Sequence, residues 1–317
     1  MEYRRLGNCG AKVSVIGMGS WITIGGTVDK KTGDDLIKFA FDKGINFFDT
    51  ADIYAIGRAE KFLGGSLKNF KRQDLFIASK CFWPMSRNPN DKGLSRKHIT
   101  ESVNNSLKNL KTDYIDLYQC HRYDNETPVE ETCRAFNTLI EQGKILYWGV
   151  SEWSELQIRE AVLICKKHNL HKPVSNQPQY SLLYRDIETN GVMDYCQKEG
   201  IGQVVWSPLA QGVLTGKYNK KKIEKDSRLM DKKNSVFVQK LAAKENLLKV
   251  ERLIKIADEL KTPVSNVALA WCLRKKIVSS VITSATKLSQ LKENITASEL
   301  ELPENIIKKI DINFNIK

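Results

Sequence analysis

Short apolar runs alternate with amphipathic segments along the whole chain. Runs at residues 15–19, 46–49, 75–80, 114–121, 147–151, 174–179, 203–207 and 278–283 read as strands. Several are apolar on both faces, as expected of parallel strands covered by helices. Between them, apolar residues recur at three- and four-residue spacing. Leu36, Phe39, Ala40 and Lys43 precede Gly44, a helix stop. Phe62, Leu63, Leu67 and Phe70 mark a second helix. Ser95 is an N-cap for a helix carrying Ile99, Val103, Leu107 and Leu110. Further faces are Cys133, Phe136 and Ile140 before Gly143; Ala161, Val162 and Cys165; and Val192, Tyr195 and Cys196 before Gly200. Leu253, Ile256, Ala257 and Leu260 before Pro263, then Val267, Ala270 and Trp271, complete the series.

Strand–helix alternation repeated eight times predicts an α/β protein, a (β/α)8 TIM barrel rather than a two-domain doubly wound sheet. Residues 3–13, with Gly7, Asn8 and Gly10, read as a β-hairpin that caps the barrel bottom. No linker rich in Pro, Gly or Ser interrupts the pattern, so residues 1–317 are expected to form one domain. The connection from Ser207 to Val278 is unusually long. Its stretch 212–237 is polar, basic and poorly periodic, which suggests a functional lid.

Composition narrows the class. The chain has 317 residues, is 41% hydrophobic and 27% charged, and so resembles neither a disordered nor a collagen-like chain. No stretch approaches the about 18–20 apolar residues of a membrane span. The start, Met1-Glu2-Tyr3-Arg4-Arg5, lacks a signal-peptide core, so a cytoplasmic setting and no membrane insertion are expected. Lys+Arg 50 against Asp+Glu 37 gives a net charge of +13. The lysines scatter along the chain, which favours a solvated surface over a nucleic-acid interface. The dense cluster is Lys217 and Lys220 to Lys222, then Lys225, Arg228, Lys232 and Lys233. The seven cysteines contain no C-x-x-C and read as reduced thiols, mostly in the core.

In a barrel, chemistry sits at the C-terminal strand ends. Those ends carry Asp49, Lys80, His121, Ser151, Gln177, Ser207 and the Thr283-Ser284 region, and Tyr54 follows Asp49 on the next loop. A tyrosine is a poor acid at pH 7. A lysine beside its oxygen lowers its pKa, and a carboxylate keeps that lysine charged and in place. The tyrosine can then protonate an oxygen on which charge develops, while a histidine orients the same oxygen. Such a set lacks a hydride donor, which a nicotinamide cofactor would supply.

The segment Gly44-Ile45-Asn46-Phe47-Phe48-Asp49-Thr50-Ala51-Asp52-Ile53-Tyr54 resembles the signature of the aldo-keto reductase superfamily. The agreement continues through Ile77-Ala78-Ser79-Lys80, Gln119-Cys120-His121, Trp148-Gly149-Val150-Ser151, Asn176-Gln177-Pro178-Gln179-Tyr180 and Trp206-Ser207-Pro208-Leu209-Ala210-Gln211-Gly212. The chain is most similar to the branch holding voltage-gated potassium-channel β subunits and their reductase relatives. Gly19-Ser20-Trp21, Gly93 to Ile99 and Ala270-Trp271-Cys272-Leu273-Arg274 carry that likeness.

The resemblance implies a barrel that binds NADPH across its mouth and reduces aldehydes or ketones. It gives Tyr54 the role of general acid, Asp49 and Lys80 those of its tuners, and His121 that of carbonyl orienter. Ser20, Trp21, Asp49, Trp206, Ser151 and Gln177 are implied cofactor residues, the last two at the nicotinamide. Ser207, Pro208, Leu209, Ala210, Gln211, Gly212, Lys217 and Arg228 are implied around the pyrophosphate and adenosine half, as a strap. Ser284, Thr286, Gln290, Glu293 and Asn294 are implied at the adenine and 2′-phosphate, where hydroxyls and Lys287 suit NADPH over NADH. The family usually has glycine at Ser284, and arginine is common in this branch at Glu152. Trp21, Tyr54, Trp83 and His121 would line the substrate pocket.

The alternative implied by the same branch is an NADPH-binding accessory subunit of a potassium channel with slow turnover. Channel β subunits usually have asparagine at His121, and the chain begins almost at the hairpin; both favour the reductase. Tetramers are expected by analogy. Other readings weaken on inspection. Gly17-Met18-Gly19-Ser20 fails the dinucleotide fingerprint at Ile22, and Gly212 to Tyr218 fails the P-loop spacing. His98, His168 and His171 are scattered, at surface or helix-end positions, and no metal site is expected. Asp113 and Asp116 flank the fourth barrel strand away from the mouth, against a glycosidase pair. Trp148, Trp153 and Trp271 are expected to pack.

Overall fold

The computed structural model describes residues 1–220, 223 and 227–316. Lys221, Lys222 and Lys225 of the basic cluster therefore lie outside the described residues. The chain opens with an antiparallel hairpin, β1 (Tyr3–Arg5) and β2 (Lys12–Ser14), in which Tyr3 pairs with Ser14 and Arg5 with Lys12. Eight parallel strands follow: β3 (Ile16–Gly19), β4 (Phe47–Asp49), β5 (Phe76–Cys81), β6 (Ile115–Cys120), β7 (Ile145–Val150), β8 (Ser175–Asn176), β9 (Gly202–Trp206) and β10 (Val278–Thr283). They close in the order β10-β3-β4-β5-β6-β7-β8-β9, a (β/α)8 barrel.

The helices are α1 (Lys30–Asp42), α2 (Arg58–Leu67), α3 (Arg96–Leu110), α4 (Val129–Glu141), α5 (Glu155–Lys167) and α6 (Val192–Glu199), then α7 (Val236–Gln239), α8 (Lys244–Glu259), α9 (Val264–Leu273), α10 (Leu288–Thr296) and α11 (Glu304–Asn313). Local chemistry sets their ends. Ser95 Oγ accepts from the His98 amide at the start of α3. Ser154 and Gln157 form a reciprocal capping box on α5. Phe70 does not extend α2, which stops at Leu67; Phe70 instead stacks on Phe41, ring centroids 4.2 Å apart.

The period-2 pattern sorts each strand into two environments. Phe47, Phe76, Ala78, Leu117 and Val204 point inward and pack with Leu6 and Val13 of the hairpin. Their neighbours Phe48, Ile77, Cys81, Tyr118, Cys120 and Val205 face outward into the helix layer. The hairpin thus closes the bottom of the barrel with apolar side chains. Its tip depends on Gly7, at φ 59°, where a Cβ would stand 2.3 Å from the Gly200 carbonyl oxygen. Asp116, near the start of β6, pairs with Arg72 at 2.6 Å and accepts from the Ile77 amide, at the bottom and away from the mouth. Six of the seven cysteines are buried and all are free thiols.

β8 is shorter than the apolar run around it. After Asn176 the chain leaves the ladder, although the Gln177 amide still reaches the Val150 carbonyl. No helix among the described residues is long and apolar enough to cross a membrane.

Candidate active site

Alternation along β4, β5 and β6 turns Asp49, Lys80 and His121 inward at the C-terminal rim. Asp49 is 3% exposed, Lys80 0% and His121 7%. Lys80 Nζ donates to Asp49 Oδ2 at 2.6 Å and to the Thr50 carbonyl at 2.7 Å, and stands 3.5 Å from Tyr54 Oη. Gln177 Nε2 donates to Asp49 Oδ1 at 2.9 Å, so both carboxylate oxygens are engaged. The Tyr54 and His121 rings lie edge to face, 5.6 Å between centroids. Four side chains brought together from sequence therefore meet at one point, and Gln177 joins them.

The loop that presents Tyr54 is tightly wound. Ala55, Ile56 and Gly57 are all left-handed, at φ 50°, 54° and 73°. For a β-branched residue such as Ile56 that conformation is costly. The loop is held underneath by Asp52, whose carboxylate accepts from Ser102 Oγ at 2.8 Å, while Tyr118 Oη donates to that same Ser102 oxygen. Beside it Glu60 accepts from Ser79 Oγ and Asn109 Nδ2. Asp52 has no role assigned from the sequence, although its place between Asp49 and Tyr54 is a signal.

Electrostatics differ from the expectation in one respect. Burial pushes the Tyr54 hydroxyl above its ordinary value; Lys80 opposes that shift and does not overcome it. Burial also pulls Lys80 down, but Asp49 and Tyr54 outweigh it and leave the ammonium firmly charged. His121 is held well below its ordinary value by burial, then by Lys80 and Arg122, so its imidazole is neutral at pH 7. Burial lifts Asp52 to about 7, against its bond from Ser102, and Glu60 adds to the rise.

Aromatic residues rim the site. Trp83 lies 6.2 Å from the His121 ring and is 37% exposed. Trp21 meets Trp206 at 6.4 Å and Phe237 at 5.1 Å, both edge to face. Glu152, left-handed at φ 58°, accepts from Trp206 Nε1 and from the Gln179 amide. It anchors the tryptophan. Trp148, Trp153 and Trp271 are buried, as packing requires. Ser20 Oγ donates to Thr50 Oγ1, and Ser151 Oγ donates to the Gln177 carbonyl.

Beyond β9 the chain crosses the mouth. Ser207 is left-handed, and Ala210, Gln211 and Gly212 are successive left-handed residues. Pro208 and Leu209 carry the turn between them, with the Leu209 carbonyl accepting from the Gly212 amide. A Cβ on Gly212 would lie 2.8 Å from Lys217 Nζ, so that ammonium rests directly over the turn. Arg228 bonds Gln211 Oε1 and lies 5.8 Å from the Trp21 ring. With Phe237 against Trp21, the long connection reaches the site, as a strap would.

The second polar corner lies past β10. Ser284 Oγ is 2.5 Å from Thr23 Oγ1. Thr286 bonds Gln290 Oε1 through its amide and its hydroxyl, at the entry to α10. Glu293 accepts from Ser265 Oγ, and Asn294 is buried. His168 caps the end of α5, and the carbonyl of exposed His171 accepts from Trp148 Nε1 at 2.7 Å. His98 is buried at the start of α3, 3.6 Å from Asp91, rather than exposed. No cluster of His, Cys, Asp and Glu among the described residues could hold a metal ion.

Two curated relatives are similar over nearly the whole chain. One from Arabidopsis thaliana, named a probable voltage-gated potassium channel subunit beta, is 43% identical over 302 residues, 95% of this chain and 92% of the relative. One from Oryza sativa subsp. japonica, with the same name, is 42% identical over 315 residues, 98% of this chain and 96% of the relative. The Aldo/keto reductase family model matches residues 15–313. This protein is thus an oxidoreductase of the aldo/keto reductase family, whose members typically use a nicotinamide cofactor.

Proposed function

We propose that the protein reduces aldehydes or ketones to alcohols with NADPH, and that Tyr54 is the general acid. The observation that carries this reading is the Asp49–Lys80–Tyr54 contact, with Lys80 Nζ 2.6 Å from the carboxylate and 3.5 Å from the phenol. A phenol kept protonated by burial, beside a fixed ammonium, is poised to give its proton to a developing alkoxide. Neutral His121 can donate one hydrogen bond to the same oxygen, and its buried Nδ1 has no partner among the described residues. Trp21 and Trp83 offer apolar faces to a carbonyl substrate.

The residues fit an extended dinucleotide phosphate. A side chain at Gly212 would displace the end of Lys217, and successive left-handed residues form the kind of backbone concavity that holds anions. Lys217 and Arg228 would hold the pyrophosphate, Ser151 and Gln177 the carboxamide. Ser284, Thr286 and Gln290, at the entry to α10, would hold the 2′-phosphate with Asn294 near the adenine. When bound, the dihydronicotinamide supplies the hydride. Gln177 would turn from Asp49 or share its amide as the ring enters.

The names of the relatives favour a second reading, an accessory β subunit of a potassium channel in which the bound cofactor acts as a signal. His121 in place of the asparagine usual there supports the reductase. Cofactor titration followed by turnover of an aldehyde panel separates them. The proposed function predicts tighter binding of NADPH than NADH and steady absorbance loss at 340 nm with carbonyls. Tight binding with no turnover supports the accessory reading; no binding of either cofactor refutes both.

A further inference from the structure

Arg122 follows His121 at the end of β6 and enters neither the Asp49–Lys80 pair nor the implied cofactor residues. Its side chain is half-buried at the mouth. One guanidinium nitrogen, Nη1, donates to the His121 carbonyl at 2.5 Å. The guanidinium carbon stands 5.7 Å from the centre of the Trp83 ring, which also meets the rings of His121 at 6.2 Å and Phe82 at 5.1 Å. Its field reaches both the Tyr54 hydroxyl and the His121 imidazole.

The nearby carboxylates are committed elsewhere. Asp49 is held by Lys80 and Gln177. Asp124 accepts from the amides of Leu94 and Glu126 and from Thr127 Oγ1. Glu152 is bonded to Trp206 and Gln179. Arg122 forms no ion pair with any described residue. A guanidinium has five donors, and one is accounted for. An unpaired cation against an aromatic face, beside a neutral histidine, is a ready partner for an incoming anion.

We propose that Arg122 is a specificity-determining residue that selects carbonyl substrates bearing a carboxylate, such as aromatic aldehyde acids. The carboxylate meets the guanidinium over Trp83 while the carbonyl oxygen lies between Tyr54 and His121. This inference rests on the reductase reading above.

The test compares 4-formylbenzoate with its methyl ester, which removes the charge and adds one methyl group. For the native protein with NADPH, kcat/KM for the acid exceeds that for the ester by roughly tenfold or more at low salt. The preference shrinks as salt is raised, because the rim is partly exposed. Arg122→Gln lowers the acid-to-ester ratio by roughly ten- to a hundred-fold, mainly through KM for the acid. A ratio near one in the native protein, or one that Arg122→Gln and salt both leave alone, overturns the assignment while the reductase reading stands. Failure to reduce either aldehyde, with NADPH bound, overturns both. The salt series needs no variant, so a poorly folding substitution does not spare the proposal.

Discussion

Gln177 and Asp49 are 128 residues apart in sequence and meet at 2.9 Å inside the barrel mouth. With Lys80 on its other oxygen, the Asp49 carboxylate is fully satisfied although it is buried. Replacing Gln177 by Ala strips one oxygen of its donor and is expected to cost about 1–3 kcal/mol in chemical denaturation. Lys80→Met leaves a buried carboxylate without its cation and should cost more, about 3–5 kcal/mol. Adding Asp49→Asn to Lys80→Met should recover part of that loss, since no charge is then stranded. Equal costs for the two single variants would mean that the ion pair does not dominate the site.

Asp52 should make stability depend on pH. Its carboxyl is lifted to about 7 in the folded chain, against an ordinary value of 3.8. The folded state therefore binds the proton more tightly than the unfolded state does. That contribution is complete below about pH 4 and is lost as pH rises through about 7. The upper bound is about 4 kcal/mol. Asp52→Asn keeps the size of the side chain and removes the titration. Denaturation curves from pH 4 to 8 should show a smaller loss of stability with rising pH in the variant than in the native protein. Parallel curves would place the titration elsewhere.

Gly212 sits at φ 92° beneath Lys217. A methyl group there meets the flexible end of that lysine, which can move, so the fold should lose only about 1 kcal/mol. The displaced ammonium no longer covers the turn. Gly212→Ala is therefore expected to weaken NADPH binding by roughly tenfold, read by fluorescence titration, with little change in thermal stability. An unchanged affinity would remove this turn from the phosphate site.

The imidazole of His121 is neutral well below pH 7. The pH dependence of kcat/KM between pH 6 and 8 should thus be the same in the native protein and in His121→Asn, although the rate itself falls. An acidic limb that disappears in the variant would show that this histidine titrates in the working range.

Much of this site can be read from the chain because strands impose a two-residue period. Inward positions at the ends of β4, β5 and β6 are fixed once the strands are found, and Asp49, Lys80 and His121 occupy them. Contacts between distant loops have no such period. Glu152 bonding the Trp206 indole, Asp52 bonding Ser102 across fifty residues, and Phe237 against Trp21 depend on how separate segments pack. The short β8 is also a tertiary result: an apolar run alone does not reveal where the ladder stops at Asn176. The direction of the Tyr54 shift is not legible in the sequence for a related reason. Sequence brings Lys80 near the phenol, but how deeply the pair is buried emerges only from the fold, and burial wins.

The proposed reaction requires Tyr54 to deliver the proton to the substrate oxygen. Single-turnover reduction of an aldehyde by the NADPH-loaded protein, compared with Tyr54→Phe, tests it most directly. Retained cofactor affinity and a rate lower by roughly 10²–10⁴-fold are expected in the variant. A Tyr54→Phe protein that binds NADPH and reduces the aldehyde at the native rate would contradict it.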